Sequence, residues 1–256
     1  MNIWLVSDTH FEMFNPMIKI LDEEIHVIVA AGDIDKKRNV YDRLLKEFVN
    51  PVFVKQGFAP HLVFVPGNHE FYGQDIVSAH QYLMDEFDSH MTHYLHPSNP
   101  SVTIDGVTFI GSTLWGAGAV EDPLVEMNLK NGVADFTYIN YQGEILTPSK
   151  MHSLNHKHAN SIGFALAETD WHEDKVVVVS HHLPSEQCIS ERFKTSKLNA
   201  AFASDQEDFM YLYQPDYWLF GHTHDEAEVE IHETTCISAP CGYNRQTEYE
   251  GRVISL

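Results

Sequence analysis

Short apolar runs recur along the chain, each shut off by a turn and a few polar side chains. The clearest are Asn2 to Val6, His26 to Ala31, Val63 to Val65, Lys175 to Val179 and Tyr217 to Phe220. Runs of this length bounded by turn residues read as buried strands. Between them, apolar residues at helical spacing predict helices over Pro16 to Glu24, Tyr41 to Val49 and Asp75 to Phe87. Strand, helix and strand in alternation are the mark of parallel crossover units. Val102 to Ile104 and Val107 to Gly111, joined by Asp105-Gly106, predict a two-residue hairpin.

From Ser112 to Gly143 the pattern lapses into a stretch rich in Gly, Asn and aromatics. It reads either as a cap or lid inserted over a site or as a surface excursion packed by its own aromatics. Thr147-Pro148 then predicts an N-cap and a proline-led helix running to about Trp171. Ser204 to Glu207 has the form of a capping box opening a helix through Tyr213. Three strands, Glu226 to Ile231, Thr234 to Ser238 and Arg252 to Ser255, finish the chain. There is no internal repeat or linker, so one domain over residues 1–256 is expected.

Composition narrows the function. No apolar run approaches a membrane span, and Met1 to Val6 has no signal-peptide character, which predicts a cytoplasmic protein without a membrane partner. Cys188, Cys236 and Cys241 cannot all pair, which suits free thiols, and Cys236/Cys241 lacks the Cys-x-x-Cys spacing of a zinc site. A net charge of −21, from 16 Lys+Arg against 37 Asp+Glu, leaves little for the basic face that a long nucleic acid needs. A small phosphate ester remains compatible if bound cations supply local positive charge. Oligomeric state is not readable.

The candidate chemistry sits where the apolar runs stop. Asp8 and His10 follow the first, Asp33 the second and Asn68-His69 the third; His181-His182 and His222/His224 close the last two. Residues two apart in an extended chain project to one face, so Asp8/His10 and His222/His224 each present a pair. Open α/β sheets bind ligands beyond strand ends, and carboxylate, imidazole and amide ligands together suit a transition metal. Gly32, Gly67 and Gly221 directly precede three of these groups. His152 and His156 lie one turn apart on the predicted helix, with His158 nearby. No Glu stands beside the first, so a solvated face is expected there.

The ordered set Asp-x-His, Gly-Asp, Gly-Asn-His-Glu, His-His-x-Pro and Gly-His-x-His, from Asp8 to His224, resembles the calcineurin-like metallophosphoesterase superfamily. Leu198 to Asp205 is similar to a bacterial-type branch of small predicted phosphohydrolases. The resemblance implies a four-layer α/β/β/α sandwich and two divalent transition-metal ions (Mn, Fe, Zn, Co or Ni). Asp8, His10, Asp33 and His224 would hold one ion. Asp33, Asn68, His181 and His222 would hold the other, with Asp33 bridging and His182 the fallback for His181. It further implies hydrolysis of a small phosphodiester or phosphomonoester by a metal-bridging hydroxide, with Asp33 and His69 catalytic and His69 the general acid. Substrate contacts are expected from Asn68, His69, His182, Trp115 and Tyr243, with Tyr72, Asp135 and Asn244 as further candidates. Asp35 departs from the usual spacing and Glu70 is expected only to position its loop. The alternatives are a non-catalytic scaffold of the same fold, a nuclease and a phosphoprotein phosphatase.

Overall fold

The computed structural model describes residues 1–36, 39–118, 122–169, 175–243 and 248–256. Two sheets form its centre. In the first, Asn2–Val6 lies between Arg252–Ser255 and Val27–Ala30, followed by His61–Phe64 and the edge strand Thr92–Tyr94. All pairs are parallel except the one to Arg252–Ser255. In the second, the order is Ala227–Ile231, Thr234–Ser238, Tyr217–Phe220, Lys175–Ser180, Val107–Ser112 and Ser101–Ile104, with a parallel core and antiparallel edges.

The period-two alternation of strand side chains sets the layers. Ile3, Leu5, Val27, Val29 and Val63 point inward and pack against Phe109, Val177, Val179 and Leu219 of the other sheet. Their neighbours Trp4, Ile28, Ala30, Leu62 and Phe64 point outward onto Val40, Leu44, Phe48, Leu83 and Phe87. On the far side Val176, Val178, Trp218 and Phe220 meet Ile162, Leu166 and Met210. Helices therefore cover both outer faces of two stacked sheets, which is the expected four-layer α/β/β/α arrangement. Both parallel sets end at the same rim, and that is why the polar residues after each strand meet.

Several expected elements differ. Pro16 to Glu24 is not helical: Met17–Ile18 pairs in parallel with Glu248–Tyr249, and Lys19 reaches Glu250 at 2.6 Å. A distant strand outweighs the local apolar spacing. The helix that starts at Val40 does not stop at Val49 but passes through a wide π-type turn, Leu45–Val49, into Asn50–Gln56. The widened turn sits directly before Pro51, whose missing N–H and ring would otherwise interrupt a regular helical turn. The capping box at Ser204 does not form, because Ser204 Oγ is taken by Asn155 Nδ2 (2.8 Å) and Gln206 Nε2 (2.6 Å), and the helix begins at Glu207.

The segment from Ser112 to Gly143 holds more structure than its pattern suggests. Asp122 caps the helix Pro123–Gly132 by accepting from Leu124 and Val125, and Asp135–Tyr138 and Ile139–Tyr141 follow. Thr147 caps Pro148–Glu168 as expected; Trp171 lies outside the described residues. On that helix His152 and His156 bond each other, Nε2 to Nε2 at 2.9 Å, and His156 is exposed, whereas His158 is buried against the Leu114 N–H. The cysteines are free and buried. No helix among the described residues is long and apolar enough to cross a membrane.

Candidate active site

The turns that end the strands carry unusual backbone. Asp8, His10, Asp33, His222 and His224 all have φ between 46° and 65°, the left-handed region. For residues with a Cβ this costs on the order of 1–3 kcal/mol each and persists only where surrounding structure enforces it. Here the turns lock one another. His222 N–H donates to Asp8 (3.1 Å), His69 N–H donates to Asp33 Oδ1 (2.8 Å), and His10 N–H donates to the Asp33 carbonyl (3.0 Å). Glycine is required where they touch: a Cβ on Gly67 would lie 2.1 Å from Asp33 Oδ1.

Glu70 holds this knot together. Its buried carboxylate accepts from Gly67 N–H (2.7 Å), Asp33 N–H (2.9 Å), Ile34 N–H (2.8 Å) and, more weakly, Asp35 N–H (3.4 Å). Burial and the Asp33 charge push its pKa up to about 8. Removing the acceptor leaves buried donors unpaired at about 1–3 kcal/mol apiece. Glu70→Ala is therefore expected to lower unfolding free energy by at least about 3 kcal/mol and to loosen metal binding. Urea denaturation with metal analysis checks this, and an unchanged midpoint would contradict it.

The donor atoms fall into groups that can each hold an ion. Asp8, His10, Asp33 and His224 form one and Asp33, His181 and His222 another, so Asp33 belongs to both. Hydrogen-bond logic supports cations there. His181 Nδ1 donates to the Ala31 carbonyl (2.7 Å), so once Nε2 gives up its proton its lone pair faces Asn68 Oδ1 at 3.1 Å and Asp33 Oδ2 at 3.5 Å. Three acceptors face one another, an arrangement satisfied by a cation between them. Likewise His10 Nδ1 faces Glu12 Oε1 (3.3 Å), and its Nε2 meets His224 Nε2 at 3.1 Å. Asn68 is oriented by its other end, since Nδ2 donates to Asp135 Oδ1 at 2.8 Å.

His69 sits beside these groups, with Nδ1 on Glu12 Oε1 at 2.8 Å and Nε2 3.4 Å from the Tyr243 hydroxyl. Burial works against its charged form, yet Asp33 and the bond to Glu12 raise its pKa to about 9. Burial likewise opposes charge on His181, but Asp33 raises it to about 10. Burial would raise Glu12, but its bonds to His10 and His69 bring it down to about 2. The two histidines stand above their ordinary value of 6.5. Their contribution to stability is complete below pH 6.5 and is lost as pH rises through about 9 and about 10. The metal-free protein is thus expected to lose several degrees of Tm between pH 6.5 and pH 10. Saturating divalent metal, which takes neutral imidazole, should flatten that fall, and a metal-free Tm that rises over this range would contradict it.

Asn68, His69, Tyr72, Asp135, His222 and Tyr243 are among the residues lining a cavity of about 450 Å³ over the donor groups. Gly132 to Asp135 form one wall, so the segment from Ser112 to Gly143 does border the site. Two expected substrate contacts do not reach it. Trp115 is fully buried in an apolar cluster with Phe71 and Leu129, and His182 is fully buried with Nδ1 on the Thr113 carbonyl (3.3 Å). Burial and the neighbouring His181 push His182 down to about 3, and His181, not His182, joins Asp33 and His222. Asp35 turns away to Arg43 at 3.3 Å. Asn244 lies outside the described residues. Glu12 was not signalled by any motif, although it extends the alternation of Asp8 and His10 by one more step.

The calcineurin-like phosphoesterase profile matches residues 1–226. An uncharacterized protein of Acanthamoeba polyphaga mimivirus is 24% identical over 242 residues, covering 87% of this chain and 80% of that one. A phosphopantetheinyl hydrolase from Mycobacterium tuberculosis has a similar fold, with TM-score 0.68 and 17% identity over 95% of this chain and 90% of that one. With most of its length matched and all five strand-end motifs gathered at one rim, this chain belongs to the calcineurin-like phosphoesterase family.

Proposed function

We propose that the protein hydrolyses small phosphate esters at a dinuclear metal centre. The observation that carries this reading is the gathering of five left-handed strand-end residues into two donor groups, with Asp33 common to both. Asp8, His10, Asp33 and His224 would hold one ion, and Asp33, Asn68, His181 and His222 the other. Divalent ions there supply the positive charge that a phosphate needs and the acidity that makes water a nucleophile.

The chain's own groups do the rest. Glu12 fixes the His69 ring through Nδ1, which leaves Nε2 turned toward the cavity beside Tyr243. A protonated His69 delivers its Nε2 proton to the departing oxygen, and Glu12 favours the protonated form. Tyr243 packs its ring against His10 at 4.7 Å and His224 at 4.2 Å, forming a wall of the pocket. Asp135 holds the Asn68 amide so that its oxygen faces the donor group. Gly132 to Asp135 wall one side of the pocket, and such a walled site favours a small ester over a polynucleotide or a protein surface.

The test is a hydrolysis panel on metal-reconstituted protein. It would cover aryl monoesters, aryl diesters, cyclic nucleotides and dinucleotide pyrophosphates, with a phosphopantetheinyl ester added because of the Mycobacterium tuberculosis relative. Metal-dependent turnover of at least one small ester is expected. Both ions bound with no turnover on any member would favour the scaffold reading.

A further inference from the structure

Beside the catalytic pocket the apolar packing does not close. Leu183 and Ile189 belong to the cluster under the second sheet. Leu198 and Phe202 pack instead on the cluster around Trp115 and Leu129. The seam between the two clusters leaves a cavity of about 140 Å³, lined chiefly by Leu183, Ile189, Phe193, Leu198 and Phe202. Two of its polar neighbours, Asn199 and Ser196, are spent on the loop itself. Asn199 Nδ2 donates to the Phe193 (3.0 Å) and Lys194 (3.3 Å) carbonyls, and Ser196 Oγ accepts from Leu198 N–H at 3.2 Å. The interior therefore offers mainly hydrocarbon.

This side pocket adjoins the proposed catalytic one. Phe193, Phe202 and Thr223 line both, and Thr223 stands between His222 and His224. Phe202 stacks on His222 with ring centroids 4.5 Å apart. Arg192, which lines the catalytic pocket, is held by Asp225 through two bonds of 2.8 and 2.5 Å. That guanidinium is already matched by a carboxylate and does not call for a second phosphate.

We infer that the substrate's leaving group is an uncharged alcohol ending in a single aromatic ring, which seats between Phe193 and Phe202. An apolar cavity of about 150 Å³ stays dry and holds one benzene ring, so the size fits one ring and no more. The inference rests on the phosphoesterase reading and adds the substrate class. Water attacks phosphorus, the phosphorus–oxygen bond to the alkyl chain breaks, and the alcohol leaves with the proton.

Two measurements separate this inference from the reading beneath it. In the first, kcat/KM is compared for propyl phosphate and 3-phenylpropyl phosphate, and for their methyl diesters, on the metal-reconstituted enzyme. Leaving-group chemistry is nearly constant in each pair, so the ratio reports the ring. An advantage of about 10- to 100-fold for the phenyl ester is expected. Ile189→Phe and Leu198→Phe, which fill the cavity from opposite walls, should each bring the ratio toward one. In the second, 3-(4-fluorophenyl)propan-1-ol is titrated into the metal-free protein and followed by fluorine NMR, with saturable binding expected that either variant abolishes. Propyl ester turned over with no phenyl advantage and no saturable probe binding overturns the side pocket alone. Saturable binding that both variants abolish, with no ester hydrolysed, supports the side pocket and overturns the phosphoesterase reading.

Discussion

Asp33→Ala protein is expected to bind neither ion and to lose activity by at least about a thousand-fold, the scale seen when one electrostatic partner of a transition state is removed. Asp33 is the residue common to both donor groups, and its Oδ1 also ties down the His69 N–H. Burial would raise its pKa, but the charges of His181 and His69 hold it well below the usual range. Its stabilising contribution is thus present above the ordinary carboxylate value and lost as the pH falls. Taking that charge away leaves buried imidazoles unpaired, a change that costs about 3–5 kcal/mol when a buried pair is broken. Asp33→Asn keeps the shape and removes only the charge, so it separates metal loss from unfolding. Metal analysis of the folded Asn variant is the check. A full metal complement in either variant would contradict the bridging role.

His69→Ala is expected to do the opposite: keep the metals and lose turnover. No donor group that includes Asp33 needs His69, and its Nδ1 is committed to Glu12. Losing a general acid costs about 10²–10⁴-fold, most on esters with poor leaving groups. Alkyl phosphates should therefore fall by about a thousand-fold while 4-nitrophenyl phosphate, whose leaving group needs no proton, falls far less. Equal losses on both substrates would remove His69 from the acid role. Loss of metal in this variant would make it a ligand instead, which His10, Glu12 and His69 together have the geometry to allow.

What the sequence made legible was the rim of the sheets. A buried parallel strand has few choices, so Val27 to Ala30 or Val176 to Val179 announce themselves, and a ligand can sit only past their ends. Asp8, Asp33, Asn68, His181, His222 and His224 could be read because residue type and strand end coincide. The parts that could not be read depend on distant partners. Asp135 orients Asn68 from 67 positions away. Glu12 earns its place only because the third strand's turn brings His69 to it. Met17 and Ile18 look helical until Glu248 and Tyr249 arrive beside them. The left-handed turn at Asp33 is held by Glu70, 37 positions away, rather than by local preference. One miss was avoidable in principle: Asp122-Pro123 before Gly132 carries both a start and a stop for the helix between them.

The gathered strand ends are proposed to form a two-ion centre for phosphoester hydrolysis. Titrating manganese into the metal-free protein while following hydrolysis of 4-nitrophenyl phosphate and its methyl diester tests it most directly. No turnover is expected without metal, and the rate should reach its plateau only as a second equivalent per chain binds. Turnover that survives complete metal removal, or two bound equivalents with neither ester hydrolysed, would contradict it.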